Sequence, residues 1–257
     1  NPSSLHIDFA IKLIKNNINT FVEKPLSNNL KKVQQLEALI KKSKSVNMVG
    51  YQMRFNPIIN YLKKQKNFEN KIGHINFVQI DHGESVKEFH SWEKYENSYT
   101  SKKKLGGGVT LSQIHELEYF KFLFNGYNIT KAKSIIDKTS NFKLDVDDSS
   151  SHLFLLKRKN KKIICNLNLN FYETPKNRVI KFIGNKGKLI ADLNKNIIKI
   201  YSNKKVYKKK FLFKRNDIFI SELKYFFYCI KNKIKKHNLN IEYGIENLKF
   251  AMSLFRN

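Results

Sequence analysis

The sequence predicts an α/β segment followed by an α+β domain: half of a doubly wound parallel sheet, then a mixed or antiparallel sheet with its own helices. Three observations carry this expectation. Helix-period and strand-period segments alternate over residues 1–55, seven strand-like runs follow one another over residues 131–213, and two helical segments close the chain. Two units are therefore expected, residues 1–55 and residues 56–257.

The first unit opens with LHIDFAIKLIKN (residues 5–16), where Leu5, Phe9, Leu13 and Ile14 fall at helical spacing. NTFVEKP is a short strand rich in β-branched and aromatic residues, residues 29–43 form an amphipathic helix, and VNMVGYQ is a second strand. Helix, strand, helix, strand is the alternation of a parallel sheet. Past Pro57 a helix (57–67) leads into the strand GHINFVQIDHG, a polar aromatic loop (84–105), and a helix that follows Gly106, Gly107 and Gly108. The runs KAKSIIDKTS, SSHLFLLKRK, KKIICNLNLNF, NRVIKFIG, GKLIADL, NIIKIYS and KVYKKKFLF then have no helix between them, which favours antiparallel or mixed pairing. Helices over 216–235 and 242–255 complete the chain.

Composition excludes several classes. Of 257 residues, 41% are hydrophobic, enough to bury a core. No run of about 18 uncharged apolar residues offers a membrane span, and the first residues lack the order of a signal peptide, so a cytoplasmic protein is expected. Cys165 and Cys229 are far apart with no Cys/His cluster, and His82 and His90 lack metal-ligand spacing, so neither disulfide nor metal is expected. The net charge of +28 suits an anionic ligand. Its form argues against specific nucleic-acid recognition, because arginine occurs only at 54, 158, 178, 215 and 256 while lysine is spread throughout.

Four motifs appear in order: FVEKP (21–25), VGYQMRFNP (49–57), GGGVTLSQIHELEYF (106–120) and NRVIKFIGNKGKLIADL (177–193). As a set they resemble the glucose-fructose oxidoreductase and inositol dehydrogenase family, Gfo/Idh/MocA, from Asn1 almost to the C-terminus. The resemblance implies a Rossmann-type domain followed by a mixed sheet with helices on one face, its open face forming a homodimer or homotetramer. It also implies NAD or NADP as cofactor, and a sugar or nucleotide sugar as the small-molecule substrate. Lys24 matches the family's active-site lysine, with Glu23 and Pro25 beside the cofactor, and His115 matches its catalytic histidine. Two departures follow. Ser112 stands where relatives carry an aspartate, and no G-x-G-x-x-G occurs, so the chain is expected to be a fragment lacking the phosphate-binding turn and inactive alone. A non-catalytic sugar-binding or assembly subunit that has lost cofactor binding is the alternative.

Alcohol oxidation needs a group titrating near neutrality and a cation to favour developing alkoxide, roles that His115 and Lys24 suit. Ser112, His115, Glu118 and Tyr119 are expected on adjoining parts of one helical face, with Glu118 orienting the imidazole and the glycines leaving amide donors free. Ser112, Arg54, Trp92 and Tyr99 are the candidate substrate contacts, and Asn56 joins Glu23, Lys24 and Pro25 as a cofactor contact. Arg54 could equally make a structural ion pair. Asp145, Asp147 and Asp148 read as a strand-entry turn.

Overall fold

The structure is a computed structural model and describes residues 1–89 and 92–256. Helix α1 (Ser3–Lys15), strand β1 (Thr20–Glu23), helix α2 (Val33–Lys42) and strand β2 (Asn47–Gly50) form the first unit. β1 and β2 pair in parallel from Thr20↔Asn47 to Glu23↔Gly50, so Lys24 and Tyr51 emerge side by side from the carboxyl edge. The face of α1 differs from the expected one. Ile7, Ala10, Ile11 and Ile14 are buried, whereas Leu5 and Phe9 are exposed. Apolar residues occur on both sides of this helix, so periodicity alone does not choose the packed face.

The expected helix over 57–67 is two short ones, α3 (Pro57–Lys63) and α4 (Lys66–Ile72), before strand β3 (Ile75–Gly83). A single helical turn, α5 (Val86–Phe89), interrupts the loop, and α6 (Val109–Ser112) and α7 (Ile114–Leu123) follow the glycines. Strands β4 (Asn128–Asp137), β5 (Ser149–Arg158), β6 (Lys161–Asn170), β7 (Asn177–Gly184), β8 (Gly187–Asp192), β9 (Ile197–Ser202) and β10 (Lys205–Lys210) join β3 in one eight-stranded sheet. The order is β10-β9-β8-β7-β3-β6-β5-β4. Only β3 against β6 is parallel, so the sheet is mixed.

Alternation along the strands gives this sheet two unlike faces. Phe154, Leu156, Ile163, Cys165, Leu167 and Phe182 are buried on one, where Phe120 of α7 stacks on Phe154 at 4.7 Å and Phe68 of α4 meets Phe182 edge-on at 5.2 Å. The other carries a row formed by paired residues Leu155, Ile164, Phe77 and Ile183, of which Ile164 and Ile183 are exposed. At one edge β10 is exposed throughout and presents Lys205, Lys208, Lys209 and Lys210, charges that discourage further strand pairing.

The last helices, α8 (Arg215–Lys231) and α9 (Ile241–Ser253), return to the first unit. Phe226 of α8 packs edge-on against Phe21 at 5.6 Å. Val49 donates its amide to the Leu239 carbonyl, and a Cβ at Gly244 would lie 2.4 Å from the Val49 side chain. Gly244 thus lets α9 sit directly on β2. Together these contacts roof the small sheet and fix its carboxyl edge against α7.

Candidate active site

The three glycines hold a backbone crossing. Gly106 and Gly108 have φ of +85° and +106°, which side-chain-bearing residues rarely adopt, and a Cβ on Gly107 would fall 2.3 Å from the Thr100 carbonyl. Their amides are not free, which corrects the expectation of a ligand-facing donor cluster. Gly106, Gly107 and Gly108 donate to the carbonyls of Lys103, Lys102 and Thr100. Asp147 closes the start of α6, its carboxylate accepting from the Thr110 amide and hydroxyl at 3.0 and 2.9 Å. Asp148 likewise accepts from the Thr139 amide and from Ser140 just before β5, in keeping with a strand-entry turn.

Ser112 and His115 do not share one continuous helix. The chain breaks at Gln113, with φ −99° and ψ 30°, ending α6 before α7 begins. A helix end leaves carbonyls without internal partners. One of these, the Ser112 carbonyl, accepts from Lys24 Nζ at 2.5 Å. The ammonium therefore caps the broken helix end from the edge of β1, where cation and carbonyl dipole attract. Burial, opposed by the negative charges of Glu23 and Glu116, lowers the Lys24 pKa to about 8.

His115 lies beside this contact. Its ring is buried, and neither nitrogen has a hydrogen-bond partner among the described residues. Burial, and then the positive charges of Lys24 and Arg178, hold its pKa well below the usual imidazole range, so the ring is neutral. The Ser112 hydroxyl is buried and equally without a partner. Tyr51 packs edge-on against the imidazole, with centroids 6.1 Å apart. A buried polar atom left unpaired costs about 1–3 kcal/mol, so several at one place mark where a ligand or water would be bound.

The flanking carboxylates are tied elsewhere. Glu116, fully buried, accepts at Oε1 from Arg178 Nε at 2.7 Å, and Arg178 Nη2 and His82 Nδ1 lie 2.7 and 3.0 Å from the same oxygen as ion-pair contacts. Burial pushes its pKa up, but the charges of Arg178 and His82 outweigh this and hold it well below the carboxylate range. His82 also faces Glu84 at 3.9 Å, and Lys176 reaches Glu84 at 3.5 Å. Glu118 does not orient His115, contrary to expectation. It accepts from Arg54 Nη1 at 3.0 Å and from the Tyr243 hydroxyl at 2.7 Å.

The remaining sequence candidates divide. Arg54 lies with its guanidinium 3.7 Å from the Phe122 ring centroid and bonded to Glu118, so the structural ion pair describes its geometry. Asn56 is buried as the cap of α3, its Oδ1 accepting from the Ile58 amide at 2.8 Å. Glu23 is exposed at the edge of β1 next to Lys24, and the Lys24–Pro25 peptide is cis. Tyr99 is half-buried, and burial followed by the charge of Glu23 raises its phenol pKa. Trp92 is 78% exposed. His90 lies outside the described residues. Among the described residues no group of three His, Cys, Asp or Glu could hold a metal ion, and no helix is long and apolar enough to cross a membrane.

Sequence reasoning missed Glu116, Arg178 and His82 as a set. The signal was present as charged residues inside apolar runs, IHELEYF and NRVIKFIG, but 62 residues separate Arg178 from Glu116.

Residues 1–51 match the family model GFO_IDH_MocA, described as "Oxidoreductase family, NAD-binding Rossmann fold". A trans-1,2-dihydrobenzene-1,2-diol dehydrogenase of Xenopus tropicalis is 26% identical over 164 residues, which are 62% of this chain and 45% of that relative. The matched stretch therefore spans less than half the length of that curated relative. Among solved structures, an aldose-aldose oxidoreductase from Caulobacter crescentus complexed with glycerol has a TM-score of 0.80 at 18% identity, covering 99% of this chain and 74% of that one. An inositol dehydrogenase homolog from Azotobacter vinelandii complexed with NAD+ has a TM-score of 0.81 at 12% identity, covering 100% and 75%. At these identities the structural likeness is one of fold.

Proposed function

We propose that this chain, a member of the Gfo/Idh/MocA oxidoreductases by the match of its first 51 residues, carries the substrate pocket and proton-handling groups of an NAD- or NADP-dependent dehydrogenase. Its substrate is a sugar, cyclic polyol or nucleotide sugar oxidised at a hydroxyl-bearing carbon. Residues 1–55 act as part of the dinucleotide-binding unit and 56–257 as the substrate unit. The observation that carries this reading is the meeting of Lys24 with the Ser112 carbonyl at 2.5 Å beside a buried His115 that has no partner.

The donor set fits a nicotinamide cofactor at the carboxyl edge of β1, where open α/β sheets bind ligands. Glu23, Lys24 and Pro25 would hold its nicotinamide end, and when bound it supplies the acceptor for a hydride. The protein's own residues handle the proton. Lys24, with a pKa of about 8, exists in both forms close to neutrality, so its neutral Nζ can take the hydroxyl proton and its charged form can stabilise alkoxide. Neutral His115 offers a ring nitrogen to the same oxygen or its neighbour, and the Ser112 hydroxyl a further hydrogen bond. Serine supplies no negative charge where relatives carry aspartate, which leaves Lys24 easier to deprotonate.

The 257 residues contain no G-x-G-x-x-G, so by themselves they are expected to bind the dinucleotide weakly. The test is hydride transfer, followed by nicotinamide absorbance with hexoses, cyclic polyols and nucleotide sugars, on the product of the whole open reading frame. Lys24→Met and His115→Ala are each expected to slow the chemical step by about a hundredfold. Full activity in both would overturn the proton-handling roles of Lys24 and His115, and sugar binding without any nicotinamide binding would favour a non-catalytic subunit instead. The open sheet face is proposed as the self-association surface, since its row of Leu155, Ile164, Phe77 and Ile183 is apolar. Ile164→Asp should then shift sedimentation to the monomer.

A further inference from the structure

We infer that Tyr51 is a further ligand-binding residue of this site, its hydroxyl reserved for a hydroxyl of the bound sugar or polyol. This rests on the dehydrogenase reading and adds a residue to it. Register carries the first part of the argument. Glu23 pairs with Gly50 at the last rung of the small sheet, so Lys24 and Tyr51 are the next residues on neighbouring strands at the same edge. The second part is packing. Tyr51 is fully buried, and its ring stands edge-on to His115 and to Tyr243, each at 6.1 Å between centroids.

The third part is an unbalanced hydrogen-bond account. The Tyr51 hydroxyl is buried and has no hydrogen-bond partner among the described residues, and the same holds for the Ser112 hydroxyl and both His115 ring nitrogens. Tyr243 provides the contrast within one ring contact, because its hydroxyl donates to Glu118 at 2.7 Å. A phenylalanine would fill the Tyr51 position equally well and would spare the cost of an unpaired buried hydroxyl. A phenol held there at a cost to the free protein has its use when a partner arrives. Burial raises its pKa well above the usual phenol value, so the hydroxyl keeps its proton and remains a donor.

The experiment is Tyr51→Phe, read in two ways on the 257-residue chain. Thermal melting without ligand should rise by about 2 °C, because an unsatisfied group is removed without loss of volume. Calorimetric titration with myo-inositol, levoglucosan, glucose and galactose should show the probe that binds best to the unaltered chain bound about tenfold more weakly by the variant. Tyr243→Phe should move melting the other way, since it breaks a made hydrogen bond to Glu118. A lower melting temperature in Tyr51→Phe would reveal an internal partner and overturn the inference, as would a dissociation constant within twofold of the unaltered chain; the dehydrogenase reading survives either result. If the unaltered chain binds none of the four probes and no nucleotide sugar such as UDP-glucose, that reading falls and the inference falls with it.

Discussion

The buried polar groups around helix α7 fall into two sets. In the clamped set Glu116 is held by Arg178 and His82, and Glu118, on a different face of the helix, by Arg54 and Tyr243. In the open set His115, the Ser112 hydroxyl and Tyr51 have no hydrogen-bond partner among the described residues, and Lys24 meets a backbone carbonyl. His115, Ser112, Tyr51 and both carboxylates are buried, so solvent does not explain the difference between them. The paired carboxylates tie the helix to β7 and to α9, while the unpaired groups lie near the carboxyl edge of β1 and β2. What separates the two sets is pairing of charge: each clamped carboxylate meets an arginine, whereas the open groups meet no opposite charge among the described residues.

The comparison breaks most visibly if the clamped set is cut. Arg178→Met leaves Glu116 in a fully buried position with His82 alone, and removal of one member of a buried ion pair costs about 3–5 kcal/mol. Urea denaturation should show that loss. Arg54→Met should cost less, about 2 kcal/mol, because Glu118 retains the Tyr243 hydroxyl. Equal losses from His115→Gln would erase the distinction between the two sets, since that ring has no bond to lose.

The fold was largely legible from sequence, and the site only in part. Strand alternation over β5 to β9 needed no distant information, because each of these strands shows its buried face in its own residues, as in the pattern of Phe154 and Leu156 against exposed Leu153. The mixed sheet and the two-strand parallel unit both follow from such local patterns. Lys24 and His115 could be brought together only through their motif order. What stayed hidden was non-local: Tyr243 reaches Glu118 across 125 residues, and no short window contains both. The glycine run misled for another reason. Close backbone approach is real at Gly107, but the approaching group is the Thr100 carbonyl of the same chain and not a ligand.

Glu222 of α8 sharpens the contrast, being a buried carboxyl with no cation assigned to it. One of its oxygens lacks a partner, and burial, followed by the negative charges of Glu23 and Glu118, raises its pKa to about 8. The sign follows from proton binding: between about 4.5 and 8 the folded state holds a proton that the unfolded state has released, so stability falls as pH rises. Glu222→Gln should remove that decline, measured as denaturation midpoints at a series of pH values. An unchanged slope would mean that Glu222 is ionised in the fold with a partner beside it.

The smallest effect concerns Lys24, and it tests the open set directly. Its pKa falls from 10.5 to about 8 because burial penalises the ammonium more than Glu23 and Glu116 favour it. Below about 8 both folded and unfolded chains are protonated at this position. Between about 8 and 10.5 the unfolded chain binds the extra proton, so this group makes stability rise with pH over that window. Lys24 is half-buried, and screening keeps the gain small. The difference in midpoint between the unaltered chain and Lys24→Met isolates it. Ser112→Asp should flatten that difference, because a carboxylate beside the ammonium restores its charge and draws the pKa back toward 10.5. A difference that survives Ser112→Asp unchanged would place the position-112 side chain too far from Lys24 to share its electrostatics, and would leave the broken helix end with a backbone contact alone.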